Sequence, residues 1–311
     1  MITGGTGFLG SWLVASLFVA ADRLDLGIHL NILTRNPTGL DLPASPRVTV
    51  VRGDVRSLPE VGPFDYIVHC AASSSAAHGR LEVEPMHVAE TIVDGTRSIL
   101  EVAARNSARV LFLSSGAVYG PQTGPVAEDC LLSPDPTDPA STYGHAKRLA
   151  ENLCAVATQS GDADAVMARL FAFVGPRIPT DAHFAAGNFL GDAAAGRPIV
   201  VRGDGLARRS YLYTGDLPEW CWSLLVRGRS GAAYNVGSPE PITIKELACR
   251  TAELSPQGLE VQVLGEPSDQ IPPWYVPSTR LAQIELGLHP RTSLAVALRK
   301  TYDWLASRRE G

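Results

Sequence analysis

Tyr143 and Lys147 stand four residues apart, so on a helix one face presents both side chains. That spacing has a chemical use. A tyrosine of ordinary pKa about 10 is a poor base at neutral pH, but an ammonium about 4 Å away favours the phenolate by about 4 kcal/mol at an effective dielectric of about 20. That is worth about three pKa units, and the positive ring of an oxidised nicotinamide would add more. Such a phenolate could remove a hydroxyl proton while hydride leaves the same carbon. A tyrosine and lysine at this spacing also recur in many helices by chance, so the residues around them decide. Ser115 follows the apolar run Val110-Leu111-Phe112-Leu113 and could hold the substrate oxygen between itself and Tyr143. In His69-Cys70-Ala71-Ala72-Ser73, Ala71, Ala72 and Ser73 would be small neighbours for a nicotinamide ribose, with His69 and Cys70 packed at a strand end.

These residues need a scaffold that brings several strand ends together. The β-branched runs 28–33, 48–51, 66–69, 110–113 and 166–171 read as strands, and 9–20, 92–105 and 143–158 carry helical periodicity. Such alternation predicts a parallel sheet covered on both faces. Ligands bind at the carboxyl edge of such a sheet, where Ser115 would lie. The expected fold is therefore α/β, a Rossmann-type doubly wound parallel sheet with a smaller C-terminal α/β substrate lobe. After Phe171 the pattern loosens into Gly/Pro punctuation, which places a dinucleotide-binding domain at 1–171 and the lobe at 172–311, with segments free to return to the first domain. Only Met1, Ile2 and Thr3 precede the first glycine turn, so the first strand reads as clipped or as starting upstream.

That turn is Gly4-Gly5-Thr6-Gly7-Phe8-Leu9-Gly10. Its glycines permit a tight turn and close backbone approach, so amide groups and a helix N-terminus can meet a pyrophosphate. Gly4, Thr6, Gly7, Phe8, Leu9 and Gly10 are the expected contacts. At the end of the second strand, Thr34 and Arg35 stand where a carboxylate for the ribose diol is usual. A guanidinium there suits a 2′-phosphate and favours NADP(H) over NAD; stacked on adenine, it would choose neither. Asp54, followed by Val55, could accept from the adenine amino group or serve only as a turn residue.

Composition narrows the classes further. The 311 residues are 45% apolar and 19% charged, with a net charge of -5, so neither a disordered chain nor a nucleic-acid partner is expected. No run of about 18 apolar residues occurs, which argues against a membrane span, and no basic leader precedes an apolar stretch. Five scattered cysteines without a C-x-x-C pair suggest reduced thiols in a cytoplasm. No histidine pair has metal-ligand spacing, so no metal is expected.

Taken jointly, the glycine turn, Asp54, Ser114-Ser115-Gly116-Ala117-Val118-Tyr119-Gly120, Tyr143 with Lys147, and the Phe171–Pro176 segment resemble an extended short-chain dehydrogenase/reductase of the NAD-dependent epimerase/dehydratase family. The resemblance spans essentially the whole chain. It implies Ser115, Tyr143 and Lys147 as the catalytic set, with Tyr143 and Lys147 also touching an NAD(P) cofactor. It implies a lobe that binds a nucleoside-diphosphate sugar, with Asn188, Phe189 and Arg209 near the diphosphate alongside Ser115. Arg209 fits the phosphate-pairing position better than its neighbour Arg208. Asp216, Asn235 and Gly237 match family positions, Asp216 as a mostly structural one. A homodimer built on the helices at 92–105 and 143–158 is implied as well.

Departures shape the expected reaction. Dehydratases of this family carry an acid pair directly after the catalytic hydroxyl residue, and decarboxylases keep an acid nearby; here those positions are Gly116 and Ala117. Elimination is disfavoured. Asp94 and Ala172 stand where the family has asparagines, so the sugar is expected to sit differently from that in UDP-galactose 4-epimerase. The expected function is epimerisation of a nucleotide sugar at C4, with an NADPH-dependent 4-ketoreductase as the competing reading and a non-catalytic dinucleotide sensor as the third.

Overall fold

Apolar runs in the first half become strands because they are buried between two helical layers, as parallel strands usually are, apart from the run at 48–51, which forms a largely exposed sheet edge. The computed structural model describes residues 1–37, 45–71, 84–181, 184–266 and 270–308. Strands β1 (Ile2–Thr3), β2 (Leu30–Thr34), β3 (Val48–Arg52), β4 (Tyr66–His69), β5 (Arg109–Ser115) and β6 (Asp164–Leu170) pair in the order β3-β2-β1-β4-β5-β6, all parallel. Helices α1 (Phe8–Leu24), α2 (Pro85–Asn106) and α3 (Thr142–Ser160) lie among them in sequence. The two-residue alternation of β5 serves both layers. Leu111 and Leu113 pack in a core with Leu13, Val14 and Phe18 of α1, while Val110 and Phe112 pack with Ile92 and Ile99 of α2 and Ala150 of α3.

Helix α2 begins seven residues before the apolar periodicity at 92 would suggest. Pro85 occupies a first-turn position, where a missing N–H costs nothing, and Met86 and Glu90 are exposed, so Val88, buried one turn before Ile92, is the stretch's one apolar core residue. Strand β2 starts at Leu30 rather than at 28 and runs to Thr34.

Beyond β6 come β7 (Ala172–Val174), α4 (Ala185–Ala194), β8 (Ile199–Val201), β9 (Arg208–Arg209), β10 (Tyr211–Tyr213), α5 (Leu217–Arg227), β11 (Ala233–Val236), β12 (Ile242–Thr243), α6 (Ile244–Ala252), β13 (Val261–Val263), β14 (Trp274–Tyr275), α7 (Arg280–Leu286) and α8 (Leu294–Ser307). Two of these elements rejoin the first half. Strand β11 pairs in parallel with β6 as the seventh strand of the large sheet, and α5 packs on α1. The remaining strands form three small sheets, β10-β7, β12-β9-β14 and β13-β8. Helices α4, α6 and α8 close a separate apolar core over them, with Leu190, Leu247 and Leu298 at its centre.

All five cysteines are free. Among the described residues, no helix is long and apolar enough to cross a membrane, and no cluster of three His, Cys, Asp or Glu could hold a metal.

Candidate active site

Strand order reverses on either side of β1, so the loops after β1 and β4 leave the sheet in diverging directions and open a crevice at its carboxyl edge. Gly4 ends β1 there with φ +66°, and a Cβ on it would lie 2.9 Å from the amide nitrogen of Ala71. A Cβ on Gly10 would overlap the carbonyl oxygen of Gly4. Only glycine permits this close turn. No side chain caps α1, so its first-turn amides keep their capacity for an anion. The cradle therefore fits the pyrophosphate of a dinucleotide. Thr6 and Gly7 are exposed at the turn, and Phe8 and Leu9 are half-buried.

At the adenosine end, Thr34 is buried and its hydroxyl donates to the Asn36 carbonyl at 3.1 Å, while Arg35 is exposed. Asp54 is already engaged. Arg56 donates to its carboxylate from Nε at 3.1 Å and Nη2 at 2.9 Å, and holds the carboxyl below the usual carboxylate range. Val55 is 7% exposed and packs against Gly95 of α2, so its side chain belongs to the core and only its backbone remains for a cofactor. Ala71 donates its amide to the Thr3 hydroxyl at 3.1 Å. Ala72 and Ser73 lie outside the described residues. His69 is buried, bonded through Nδ1 to the Thr3 hydroxyl at 2.8 Å, and its pKa is pushed down to about 3 by burial and the Lys147 charge.

Ser115 is the last residue of β5, and α3 carries Tyr143 and Lys147 past it. Asp138 starts this approach by accepting from the Ala140 amide in a short 3-10 turn that leads into α3. Tyr143 is half-buried and lines a cleft of about 310 Å³ with Ala117, Pro121, Pro134, Ser141 and Tyr275. Lys147 is 2% exposed; its Nζ donates to the Leu113 carbonyl at 2.6 Å and lies 5.9 Å from the centroid of the Tyr143 ring. Burial pushes Lys147 down to about 8, opposed by Cys70, Glu151 and Cys154.

The expected lowering by the Lys147 ammonium, to which a nicotinamide charge would add, is not seen in the phenol by itself. Burial pushes Tyr143 up to about 12, helped by Tyr275 and opposed by the Ser115 hydroxyl. The ammonium spends its short contact on a main-chain carbonyl, so desolvation outweighs attraction. By itself the phenol is neutral at pH 7.

The lobe residues divide. Arg209 sits on β9 with its guanidinium 5.5 Å over the Tyr275 ring, beside the cleft, whereas Arg208 stacks on Trp274 at 5.2 Å. Asn188 keeps a buried Oδ1 without a protein partner. Phe189 is 5% exposed within an apolar core, which leaves its backbone for a ligand. Asp216 accepts from the amides of Arg291 and Thr292, both at 2.8 Å, and Asn235 donates to the carbonyls of Val126 and Ser278 at 3.0 Å, so both tie segments together. Gly237 is enclosed by Pro277 and Phe171.

Two residues escaped the sequence reading. Tyr275 comes from β14, some 160 residues after Ser115, yet its hydroxyl lies 3.3 Å from Ser115 Oγ. No sequence signal near Tyr275 announces that contact. Glu151 continues the Tyr143–Lys147 stripe by another four residues, a spacing that would have found it. It accepts from the Ser114 hydroxyl at 2.5 Å and pairs with Arg169 at 2.7 Å, both largely buried.

A parallel sheet with a glycine cradle at its strand reversal, and a serine, tyrosine and lysine at one strand end, defines a Rossmann-fold protein built to hold a dinucleotide beside a proton-transfer site. The pattern of the NAD dependent epimerase/dehydratase family matches residues 1–237, and the chain belongs to that family. It is 30% identical over 299 residues to UDP-glucuronic acid decarboxylase 1 of Arabidopsis thaliana, covering 96% of this chain and 67% of that protein's length. Among solved structures, a dTDP-glucose 4,6-dehydratase from Streptomyces venezuelae with NAD bound superposes with TM-score 0.85 at 26% identity, covering 99% and 97% of the two chains. MoeE5 in complex with UDP-glucuronic acid and NAD superposes with TM-score 0.81 at 26% identity, covering 100% and 99%.

Proposed function

We propose that the chain is an NAD(P)-dependent epimerase of a nucleoside-diphosphate sugar that inverts C4 through a transient 4-keto sugar. The observation that carries this reading is the meeting of Ser115, Tyr143 and Lys147 at the end of β5, with Lys147 facing Cys70 where the chain after β4 abuts Gly4, and no carboxylic acid at Gly116 or Ala117. NAD(P)+ held at the cradle would supply the hydride acceptor and the positive charge that Tyr143 needs. Tyr143 Oη takes the proton of the C4 hydroxyl, the Ser115 hydroxyl holds the same oxygen, and Lys147 remains largely protonated at pH 7. On return, Tyr143 gives the proton back to the oxygen of the inverted carbon. An anchored diphosphate at Arg209 and Asn188 would let the hexose turn between the two halves.

The decarboxylase and dehydratase activities of the relatives are not adopted. Besides the missing acids, a Cβ on Gly116 would stand 2.8 Å from the Phe171 ring, which would have to shift to admit one. Arg35, exposed at the end of β2, favours NADP(H) and with it the second reading, an NADPH-dependent 4-ketoreductase using the same residues once per turnover. We also assign the chain to a homodimer through α2 and α3, since Leu149 and Val156 form an exposed apolar stripe on α3 and Met86 is exposed on α2.

Incubation with UDP- and dTDP-hexoses without added reductant, followed by NMR, tests the assignment. Interconversion of C4 isomers is expected. Stoichiometric NADPH consumption on keto sugars with no interconversion would replace it by the ketoreductase. Unchanged biological activity of Tyr143→Phe with intact cofactor binding would favour the sensor and end both catalytic readings.

A further inference from the structure

Three hydroxyls meet at the cleft: Tyr143 on α3 and Tyr275 on β14 line it, and Ser115 at the end of β5 contacts both. A serine hydroxyl has one proton to give and two lone pairs to fill. The Ala117 amide donates to Ser115 Oγ at 3.2 Å, filling one lone pair there, and also faces the Tyr275 oxygen. The Tyr275 hydroxyl lies 3.3 Å from Oγ and 3.4 Å from the Leu170 carbonyl, its alternative acceptor. Two arrangements follow from that choice. With Tyr275 donating to Oγ, both lone pairs of Ser115 are filled and its proton is left for Tyr143 and the reacting oxygen. With Tyr275 donating to Leu170, the Ser115 proton turns toward the Tyr275 oxygen and is lost to the substrate. Both contacts exceed the usual O–H···O length of about 2.8 Å, so the phenol is shared between them, a common condition of catalytic hydrogen bonds before a ligand binds.

Building on the proposed role of Ser115 in holding the reacting oxygen, we propose that Tyr275 is a positioning residue that fixes the direction in which the Ser115 hydroxyl donates. Its setting suits that task. The ring packs on Phe171 at 4.8 Å between centroids, and the Arg209 guanidinium lies over it. β14 pairs with β9, the strand that carries Arg209. An anion drawn to Arg209 thus reaches Ser115 through one side chain. Burial raises the Tyr275 pKa, so the hydroxyl stays protonated and remains a donor.

The test reads Tyr143 directly and needs no knowledge of the sugar. The groups facing Tyr143 are Lys147 one turn along α3, Ser115 on β5 and Tyr275 on β14, with Arg209 beyond; His69 and Cys70 at the end of β4 act on Lys147. In the NAD+ complex, the phenolate absorbance of Tyr143 is obtained by subtracting the titration of Tyr143→Phe. Tyr275→Phe keeps the ring and removes only the hydroxyl. Because Tyr275 stays protonated, the charge by which it would raise Tyr143 does not arise, and losing its hydroxyl is expected to raise the Tyr143 midpoint by about 0.7 pH unit, the ordinary net worth of one hydrogen bond. In a Ser115→Ala background the same substitution is expected to add nothing, because the relay has already been cut. Tyr275→His, which retains a donor, is expected to recover part of the shift, and it serves as the second variant should Tyr275→Phe not fold. A midpoint left in place by both variants, or a shift of equal size with and without Ser115, overturns the assignment. A wild-type complex in which Tyr143 never titrates below its ordinary range overturns the proposed chemistry and the Tyr275 role together. A normal wild-type titration that Tyr275→Phe leaves unmoved overturns the role alone.

Discussion

Replacing Lys147 by methionine is expected to make the protein more stable at neutral pH and inactive. The ammonium is 2% exposed and its pKa falls from 10.5 to about 8, a drop of about 2.5 units, which at about 1.36 kcal/mol per unit is roughly 3 kcal/mol of unfavourable burial. Methionine has a similar length without the charge, but the Leu113 carbonyl then loses a donor at 2.6 Å, a loss of about 1 kcal/mol. The net expectation is a gain of about 1–2 kcal/mol for Lys147→Met near pH 7. The pH dependence distinguishes this account from simple repacking. Because the folded pKa lies below the unfolded one, the unfolded chain binds more protons between about pH 8 and 10.5, and wild-type stability contributed by this group rises through that window. The advantage of Lys147→Met should therefore shrink as the pH climbs through it. Urea unfolding of both proteins at pH 7 and at pH 10, monitored by tryptophan fluorescence, measures the difference. A variant less stable than wild type at pH 7, or a difference constant across the window, would refute the reasoning. The accompanying loss of turnover should be at least about a hundredfold, the lower range for an acid–base group.

Three further outcomes follow from the same geometry. Gly10→Ala places a methyl against the Gly4 carbonyl and should abolish NAD(P) binding by calorimetry while leaving the circular dichroism of the sheet in place; retained binding would mean that the dinucleotide lies elsewhere. Arg35→Asp should weaken NADP+ at least about tenfold, since a bidentate guanidinium–phosphate contact becomes a repulsion, and should leave NAD+ affinity near its starting value; equal losses for both would make Arg35 an adenine platform instead. Leu149→Glu, on the exposed stripe of α3, should convert a dimer to a monomer in sedimentation velocity, and a dimer that survives it would place the contact away from α3.

The core of the scaffold could be read from the chain because its signals are local. A strand buried on both faces is a continuous apolar run, and a glycine turn before a helix is a contiguous motif, so β4, β5, α1 and the cradle fall where the sequence puts them within a few residues. Tyr143 and Lys147 were legible for the same reason: helical geometry alone carries four residues to one face. Ends of elements were less legible where the apolar rhythm fades, as at the exposed Pro85 and Met86 that open α2.

What the sequence determined by itself was thus the set of groups able to do chemistry and the sheet edge on which they gather. Tertiary structure alone decided their state. Burial between layers, which no local pattern records, turns Tyr143 into a phenol harder to ionise than a free one and Lys147 into a weaker base. Packing of a distant strand brings Tyr275 to Ser115, and the absence of a Cβ on Gly116 leaves the space that Phe171 fills. Desolvation and long-range contact depend on the whole surrounding volume, and only the folded chain defines that volume.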